Sequence, residues 1–273
     1  MPIEENQDKE RQKQLKRIIQ PFMLRRTKGD VLEDLPEKNE IIVSVELTEE
    51  ELSVYELIRK NAEQQLRESG NRVEVKVLAE IMRLRQAACA TSLVEKEWKG
   101  DSSKIEIFVN MAKTIADGGN RVLVFSQFTS FLDLVRKKLE EQSVDYLYLD
   151  GSTPLKQREQ LVEDFQQGTV PVFLISLKAG GLGLNLVGAN YVIHLDPWWN
   201  PSIEQQATDR AYRIGQQRNV TVYHLITKNT IEEKILRLHK TKRNLADALL
   251  EGADVGHKLT ADDLLTMLEK NSK

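Results

Sequence analysis

Five stretches of nearly continuous apolar residues recur through the second half of the chain, with a helical stretch between each one and the next. They begin at residues 121, 146, 172, 191 and 220. Strands of a parallel sheet covered by helices on both faces show this pattern, because neither face of the sheet meets water. The pattern predicts an α/β fold with a doubly wound parallel sheet over about residues 103–228.

The first half of the chain has a different periodicity. Alternating apolar residues predict a strand over 40–47. Thr48 and Glu51 have the spacing of a helix capping box, and apolar residues then recur at helical intervals as far as Leu66. After a break at 69–71, a second helix has an apolar face formed by Val77, Leu78, Ile81, Leu84 and Ala88. We expect a helical pair that projects from the sheet domain.

Helical signals also close the chain. Thr230 and Glu233 form a second capping box that opens a helix extending to Leu249, and a short amphipathic helix begins at residue 259. The predicted organisation has four parts: a linker leading into the fold (1–47), a helical protrusion (48–100), a sheet lobe that includes the helix opened by Thr230 (101–250), and a C-terminal tail helix (251–273).

Composition limits the classes of function. Of the 273 residues, 40% are hydrophobic and 30% are charged, and no apolar run approaches the ~20 residues that span a membrane. The single cysteine and four scattered histidines predict neither a disulfide nor a structural metal site. The net charge of −3 means that any nucleic-acid binding must come from a local basic face. Residues 1–10 lack the pattern of a signal peptide, so we expect a cytoplasmic protein, nucleoid-associated if the source is prokaryotic.

Polar residues and glycines follow the predicted strands. In an open parallel sheet, ligands bind beyond the carboxyl ends of the strands, where these residues should meet. The strand-end residues include Ser126, Gln127, residues 150–153, and the glycine-rich run 176–185. Glycines 180, 181 and 183 allow backbone amides to approach a phosphate, or equally permit a tight turn into a helix.

Two arginines are the strongest candidates for phosphate chemistry. Arg210 and Arg213 are three residues apart, and on a helix they project from one side. Arginines supplied by one domain stabilise phosphoryl transfer on another. The alternative is a solvated helix face on which Asp209 pairs with Arg213. No glycine is followed by lysine and no Asp-Glu pair occurs, so the chain has neither a Walker A loop nor a Walker B acid.

Several strings of residues together resemble the C-terminal RecA-like lobe of the SWI2/SNF2 family, within helicase superfamily 2. Residues 121–128 (RVLVFSQF) resemble its motif IV, and residues 149–153 (LDGST) resemble the DNA-contacting segment that follows. Residues 174–186 (LISLKAGGLGLNL) resemble motif V, and residues 206–216 (QATDRAYRIGQ) resemble motif VI. Residues 22–36 resemble the stretch that joins the two lobes of the family.

The resemblance implies a function for particular residues. Arg210 and Arg213 are then arginine fingers, and Gly183 and Asn185 border the nucleotide. The residues implied to lie along the DNA are Gln127, Ser152, Thr153, Ser176, Lys178 and Trp199. The helical pair corresponds to the family's lobe-2 protrusion, and the helix opened by Thr230 to its brace. Tyr212 stands where many members have histidine.

The implied protein is a DNA-dependent ATPase that translocates on double-stranded DNA without unwinding it. Its cofactor is ATP with Mg²⁺, held mainly by an N-terminal RecA-like lobe that residues 1–273 do not contain. Its partners are double-stranded DNA and that lobe, with a DNA-bound protein target as a further candidate. The fragment alone is expected to be inactive. The alternatives are a non-catalytic module that docks to DNA or protein and, less favoured, a Rossmann-type enzyme, whose glycine fingerprint is broken here.

The remaining candidates have structural interpretations. We expect one residue of the pair Trp198 and Trp199 to cap the sheet as a core aromatic. His194 is expected to be a hydrogen-bonded core residue, and Cys89 a small buried hydrophobe. Arg25 and Arg26 form either a solvated linker face or a contact with DNA or the other lobe.

Overall fold

The computed structural model describes residues 35–67, 73–180 and 184–239 of the chain. Several predictions lie outside these residues: the linker before residue 35 with Arg25 and Arg26, the break at 69–71, Gly181 and Gly183, and the tail helix at 251–273. The helix opened by Thr230 is described only over 231–239.

Six parallel strands form one sheet in the described part of the chain. Their bounds are β1 Lys38–Val45, β2 Val122–Ser126, β3 Tyr146–Leu149, β4 Val172–Ser176, β5 Tyr191–His194 and β6 Val220–Thr227. The spatial order is β1-β6-β5-β2-β4-β3, and every pair is parallel. The five apolar runs are β2 to β6, which confirms the predicted α/β fold. Strands β2 and β4 are buried at every position, as a sheet covered on both faces requires.

The strand predicted within the leading linker belongs to the sheet. Strand β1 pairs with β6 in register from Lys38 opposite Val220 to Val45 opposite Thr227. Sequence periodicity identified the strand but not its partner, which lies more than 170 positions along the chain. As an edge strand, β1 leaves Ile41 and Ile42 about half exposed. The sheet therefore begins within the segment assigned to the linker.

Helices cover both faces of the sheet. Their bounds are α1 Glu49–Arg67, α2 Val73–Cys89, α3 Ser103–Asp117, α4 Thr129–Glu141, α5 Leu155–Gln167, α6 Leu177–Gly180, α7 Pro201–Thr208 and α8 231–239. Helices α3 and α4 pack on one face, with Phe108 and Phe131 fully buried. Phe165 of α5 and Ala207 of α7 belong to a second cluster on the opposite face. No helix in the described ranges is long and apolar enough to cross a membrane.

The predicted helical pair is α1 and α2. The capping box at its start is confirmed, because Thr48 and Glu51 exchange backbone-to-side-chain hydrogen bonds of 3.0 and 3.2 Å. The pair packs against α8 through a cluster that includes Tyr55, Ile81 and Ile235. Leu78, predicted on the apolar face of α2, is instead about half exposed.

The start of α8 differs in detail from its predicted capping box. The Thr230 hydroxyl oxygen accepts from the backbone N–H of Glu232 at 3.2 Å. The neighbouring Glu232, rather than Glu233, turns back and accepts from the backbone N–H of Thr227 at 2.8 Å. This places the Glu232 carboxylate in the interior, where only 1% of the residue is exposed.

Candidate functional site at the strand ends and the arginine turn

The carboxyl ends of the strands bring the predicted polar segments to one edge of the sheet. Ser126 of β2 stands opposite Ser176 of β4, and Phe125 stands opposite His194 of β5. From β5 across β2 and β4 to β3 there are three strand spacings, or about 14 Å. The segments that follow these four strands therefore form a continuous row along the edge.

The end of β2 is held by a buried carboxylate. Asp196, which follows β5, accepts hydrogen bonds from the Ser126 hydroxyl and from the backbone N–H of Gln127 at 3.3 Å. Both amide atoms of the Gln127 side chain are buried and have no hydrogen-bond partner. Burial raises the pKa of Asp196, and the nearby Arg85 opposes that shift. The side chain of Gln127, implied to contact DNA, therefore lies beneath the surface, and both of its amide atoms are unsatisfied.

The loop after β3 is organised by hydrogen bonds to Asp150. Its carboxylate accepts from the backbone N–H of Ser152 at 2.8 Å and from the hydroxyls of Ser152, Thr153 and Tyr148. These hydrogen bonds, chiefly that of the Ser152 hydroxyl, lower the pKa of Asp150. Arg158 donates to the Thr153 carbonyl oxygen at 2.6 Å. Ser152 is exposed at the edge, where the resemblance implies a backbone contact.

Lys178 is the one positively charged residue among the described residues of the segment after β4. Lys178, in the short helix α6, is exposed, whereas Ser176 is buried with only 3% of its surface accessible. Asn185 is exposed, and its backbone carbonyl accepts from Gln166 Nε2 at 2.8 Å. Among these residues, Lys178 and Asn185 can reach a ligand directly, while Ser176 lies beneath the surface.

Trp198 and Trp199 both pack on the protein. Trp198 packs against the core cluster beside α7, and Trp199 against the cluster of the helical pair. Trp198 is therefore the residue of the pair that packs on the core of the sheet, as expected for one of the two. Trp199, implied to contact DNA, is half-buried beside the guanidinium of Arg85, whose carbon lies 5.2 Å from the Trp199 ring centroid.

Arg210 and Arg213 do not lie on a regular helix, contrary to the prediction from their spacing. Helix α7 ends at Thr208, and a turn and a bend carry the two arginines. The turn is closed by hydrogen bonds from the backbone N–H groups of Ala211 and Tyr212 to the Thr208 carbonyl, at 3.0 and 3.1 Å. Gly215 has a φ of 100°, which side chains strongly disfavour and which ends the turn.

Backbone contacts join this arginine turn, residues 209–216, to the loop that carries Asn185. The Arg210 carbonyl accepts from the backbone N–H of Leu186 at 3.0 Å. The buried Gln216 side chain donates to the carbonyls of Val187 and Ala189 at 3.0 and 2.8 Å. The tertiary structure thus brings together two of the segments that the resemblance implies for the nucleotide.

Neither guanidinium group forms a salt bridge with a carboxylate among the described residues. Arg210 is half-buried, and its Nε is inaccessible to solvent and has no hydrogen-bond partner. Burial, followed by the positive charge of Arg213, lowers the pKa of Arg210. Asp209 accepts from Gln205 Nε2 at 2.9 Å, and its negative charge opposes the lowering of the Arg210 pKa. This arrangement favours the interpretation that the two arginines bind a polyanionic ligand. It does not favour the alternative, a solvated helix face on which Asp209 pairs with Arg213.

Sequence reasoning missed a set of buried charges behind the edge: Arg85, Lys104, Asp196, Glu204 and Glu232. Arg85 follows Ile81 by four residues, which places it on the apolar face of α2. This spacing is the sequence feature that could have predicted its burial.

His194 is buried as expected, and its Nε2 lies 2.9 Å from the Thr208 hydroxyl. Cys89 is also buried as expected, and burial raises its thiol pKa. No group of residues able to hold a metal ion occurs among those described.

Comparisons with known proteins agree with this architecture. The SNF2-related domain matches residues 1–93, and the helicase conserved C-terminal domain matches residues 93–215. A putative ATP-dependent helicase/translocase of Bacillus subtilis, YwqA, is 38% identical over 97% of this chain. The human SWI/SNF-related matrix-associated actin-dependent regulator of chromatin subfamily A member 1 is 33% identical over 92% of the chain. The chain spans only 30% and 26% of these two relatives, respectively.

Solved structures show the same fold. The C-terminal domain of a Sulfolobus solfataricus SWI2/SNF2 ATPase superposes with a TM-score of 0.69 at 26% identity, covering 86% of this chain and 100% of that domain. The core of that ATPase in complex with double-stranded DNA also gives a TM-score of 0.69, at 32% identity, covering 93% of this chain and 53% of the core.

Proposed function

Since the chain belongs to the SWI2/SNF2 family and forms its C-terminal RecA-like lobe, we propose that it is the second half of an ATP-dependent translocase on double-stranded DNA. In this proposal the phosphate-binding loop and the Mg²⁺ ligands belong to a first RecA-like lobe of the same protein. The chain supplies Arg210 and Arg213 to the nucleotide across the cleft, with Gly183 and Asn185 beside it. The strand-end row supplies contacts to the DNA backbone.

The observation that carries the proposal is a pair of adjacent guanidinium groups, neither of which forms a salt bridge with a carboxylate among the described residues. Arg210 Nε is buried without a hydrogen-bond partner in this conformation, which costs free energy. The two adjacent cations also repel each other, so a polyphosphate bound beside them relieves that repulsion. The described residues therefore fit a site in which the first RecA-like lobe holds most of the ATP and its Mg²⁺, and this chain adds arginines.

The chain's own contribution to hydrolysis is electrostatic. Bound ATP supplies a phosphoanhydride bond whose cleavage develops negative charge on the transferred phosphoryl group. Arg210 and Arg213 stabilise that charge from a turn whose backbone is held in place. The Leu186 backbone N–H and the Gln216 side chain donate the hydrogen bonds that join this turn to the loop at 184–189.

Translocation follows if both lobes hold the DNA backbone and the cleft closes and opens with each hydrolysis cycle. On this lobe the exposed Ser152 and Lys178 are the first contacts, with Gln127, Thr153, Ser176 and Trp199 behind or beside them. Backbone contacts make binding nearly independent of sequence and strongly dependent on salt. The solved relative bound to double-stranded DNA supports this choice of partner.

The decisive test measures ATP turnover in the complete two-lobed protein, with and without duplex DNA. Replacing either arginine (R210Q or R213Q) should lower DNA-stimulated turnover by about 10³-fold or more, because the transition-state charge loses a donor. Arg218 is an exposed arginine just beyond the arginine turn, and R218Q serves as the matched control that should retain turnover.

Two results would contradict the proposal. If R210Q and R213Q both keep wild-type turnover, the lobe is a non-catalytic docking module. If purified residues 1–273 hydrolyse ATP at motor-like rates with DNA, the nucleotide site is not shared between two lobes.

A further inference from the structure

A buried arginine connects the helical pair to the strand-end row. Arg85 of α2 is 1% exposed, and its guanidinium carbon lies 5.4, 5.4 and 5.2 Å from the ring centroids of Phe128, Trp198 and Trp199. Its Nη2 donates to the Pro197 carbonyl at 2.5 Å. A guanidinium that is planar can stack on aromatic faces while donating in its own plane, which an ammonium group cannot do.

The same guanidinium faces the carboxylate that holds the end of β2. Arg85 Nη2 lies 3.6 Å from Asp196 Oδ2, and Asp196 accepts from the Ser126 hydroxyl and the Gln127 backbone. One side chain therefore contacts both loops, at residues 126–128 and 196–199. These are the loops that carry Gln127 and Trp199, two of the proposed DNA contacts.

The arrangement is a poor way to gain stability. Arg85 Nε and the Gln127 amide are buried without partners, and each unsatisfied group costs free energy. A buried ion pair is often no more stable than apolar residues of the same volume. Burial also lowers the pKa of Arg85, so the fold does not favour its charge. What the guanidinium does provide is a fixed relative position for two loops from separate strands.

We propose that Arg85 is a positioning residue for duplex DNA binding. It fixes the relative position of the loops at 126–128 and 196–199, which carry the proposed contacts Gln127 and Trp199, and it does not contact the DNA itself. This inference rests on the proposed function. It adds that the helical pair controls the DNA-binding edge through one buried side chain.

The salt dependence of DNA affinity separates positioning from direct contact. Each phosphate neutralised by a lysine or arginine adds about 0.9 to the slope of log K against log salt. The loops held by Arg85 at 126–128 and 196–199 contain no lysine or arginine. Losing their alignment should therefore weaken binding equally at every salt concentration. Losing a direct cationic contact should also flatten the slope.

The experiment uses the complete two-lobed protein and a fluorescent duplex, with affinity measured by anisotropy over a range of salt for two unrelated sequences. R85M should weaken binding about tenfold on both sequences with an unchanged slope, since a misplaced contact group loses most of its effect. R85K should show a smaller loss. K178M, at an exposed cation, should reduce the slope by about 0.9. R83M replaces an exposed arginine on the same helix and should bind like the wild type.

A double variant distinguishes positioning from simple support of the fold. R85M removes the arginine beside the buried Asp196, whereas R85M/D196N removes both charges and should recover most of the lost thermal stability. Recovery of stability without recovery of affinity supports the inference. Wild-type affinity in R85M/D196N, or a slope reduced by about one contact in R85M, overturns it. If the wild-type protein binds no duplex, the proposed function fails and this inference fails with it.

Discussion

Two groups of cations in this lobe have opposite surroundings. In the interior, Lys104 is fully buried, and its Nζ donates to both carboxylate oxygens of Glu232 at 2.6 Å and to the Leu195 carbonyl at 3.0 Å. In the arginine turn, neither Arg210 nor Arg213 forms a salt bridge with a carboxylate among the described residues. A cation whose partners lie within the lobe serves the fold. A cation that the lobe leaves unpaired is available for a ligand.

The interior pair also explains how the last described helix is attached. Lys104 reaches from α3 to the Leu195 carbonyl just after β5, to the Leu225 carbonyl within β6, and to Glu232 of α8. Glu232 in turn accepts from the Thr227 backbone. One ammonium group thus joins two strands and two helices, which is consistent with the bracing assigned to this helix by the family resemblance.

The largest effect on stability is expected from breaking this interior pair. K104M should lower the free energy of unfolding by about 3–5 kcal/mol, because Glu232 remains buried without a cation. Chemical denaturation of residues 1–273 measures it. K113M, on a lysine farther along α3 that donates to Gln142 at the surface, is the matched control. If K104M proves as stable as K113M, the interior cations are not structural and the comparison fails.

The buried carboxyl group of Glu204, which among the described residues has no lysine partner like that of Glu232, tests the same comparison through the dependence of stability on pH. Glu204 accepts from the Trp198 backbone at 2.6 Å, and burial raises its pKa to about 8. Because the folded pKa exceeds the unfolded one, the protonated group contributes stability that is complete below about pH 4.5 and is lost as pH rises toward 8.

E204Q should remove this contribution to the pH dependence. Between pH 5 and pH 8, the wild-type free energy of unfolding should fall relative to E204Q, by at most about 1.4 kcal/mol per pH unit. Urea denaturation of both proteins at several pH values provides the measurement. Parallel curves for the two proteins would mean that Glu204 is ionised in the fold, as a paired interior charge would be.

The smallest effect is expected at the unpaired arginines. R213A should change the free energy of unfolding by no more than about 0.5 kcal/mol, because an exposed cation with no partner contributes little to the fold. At low salt the change should be slightly stabilising, since repulsion of Arg210 is relieved. Thermal unfolding of the wild type and R213A at low and high salt measures this change in stability. A large loss of stability in R213A would place this arginine with the interior cations.

Local patterns in the sequence were sufficient for the elements and for the candidate chemistry. Continuous apolar runs located strands β2 to β6, and the spacing of Thr48 and Glu51 located the start of α1. These signals depend on neighbours a few residues apart, which the local backbone conformation brings together. The motif strings identified the arginine turn as well, although the two arginines lie in a turn and a bend rather than on a helix.

The tertiary structure decided which distant groups meet. Strand β1 joins the sheet beside β6, and Arg85 contacts a carbonyl 112 positions away at Pro197. Neither pairing can be read from periodicity, because periodicity gives only the direction of a side chain and not what lies opposite it. Arg210 and Lys104 are both cations in the sequence. Only packing shows that Lys104 is paired within the lobe, whereas Arg210 forms no salt bridge with a carboxylate among the described residues.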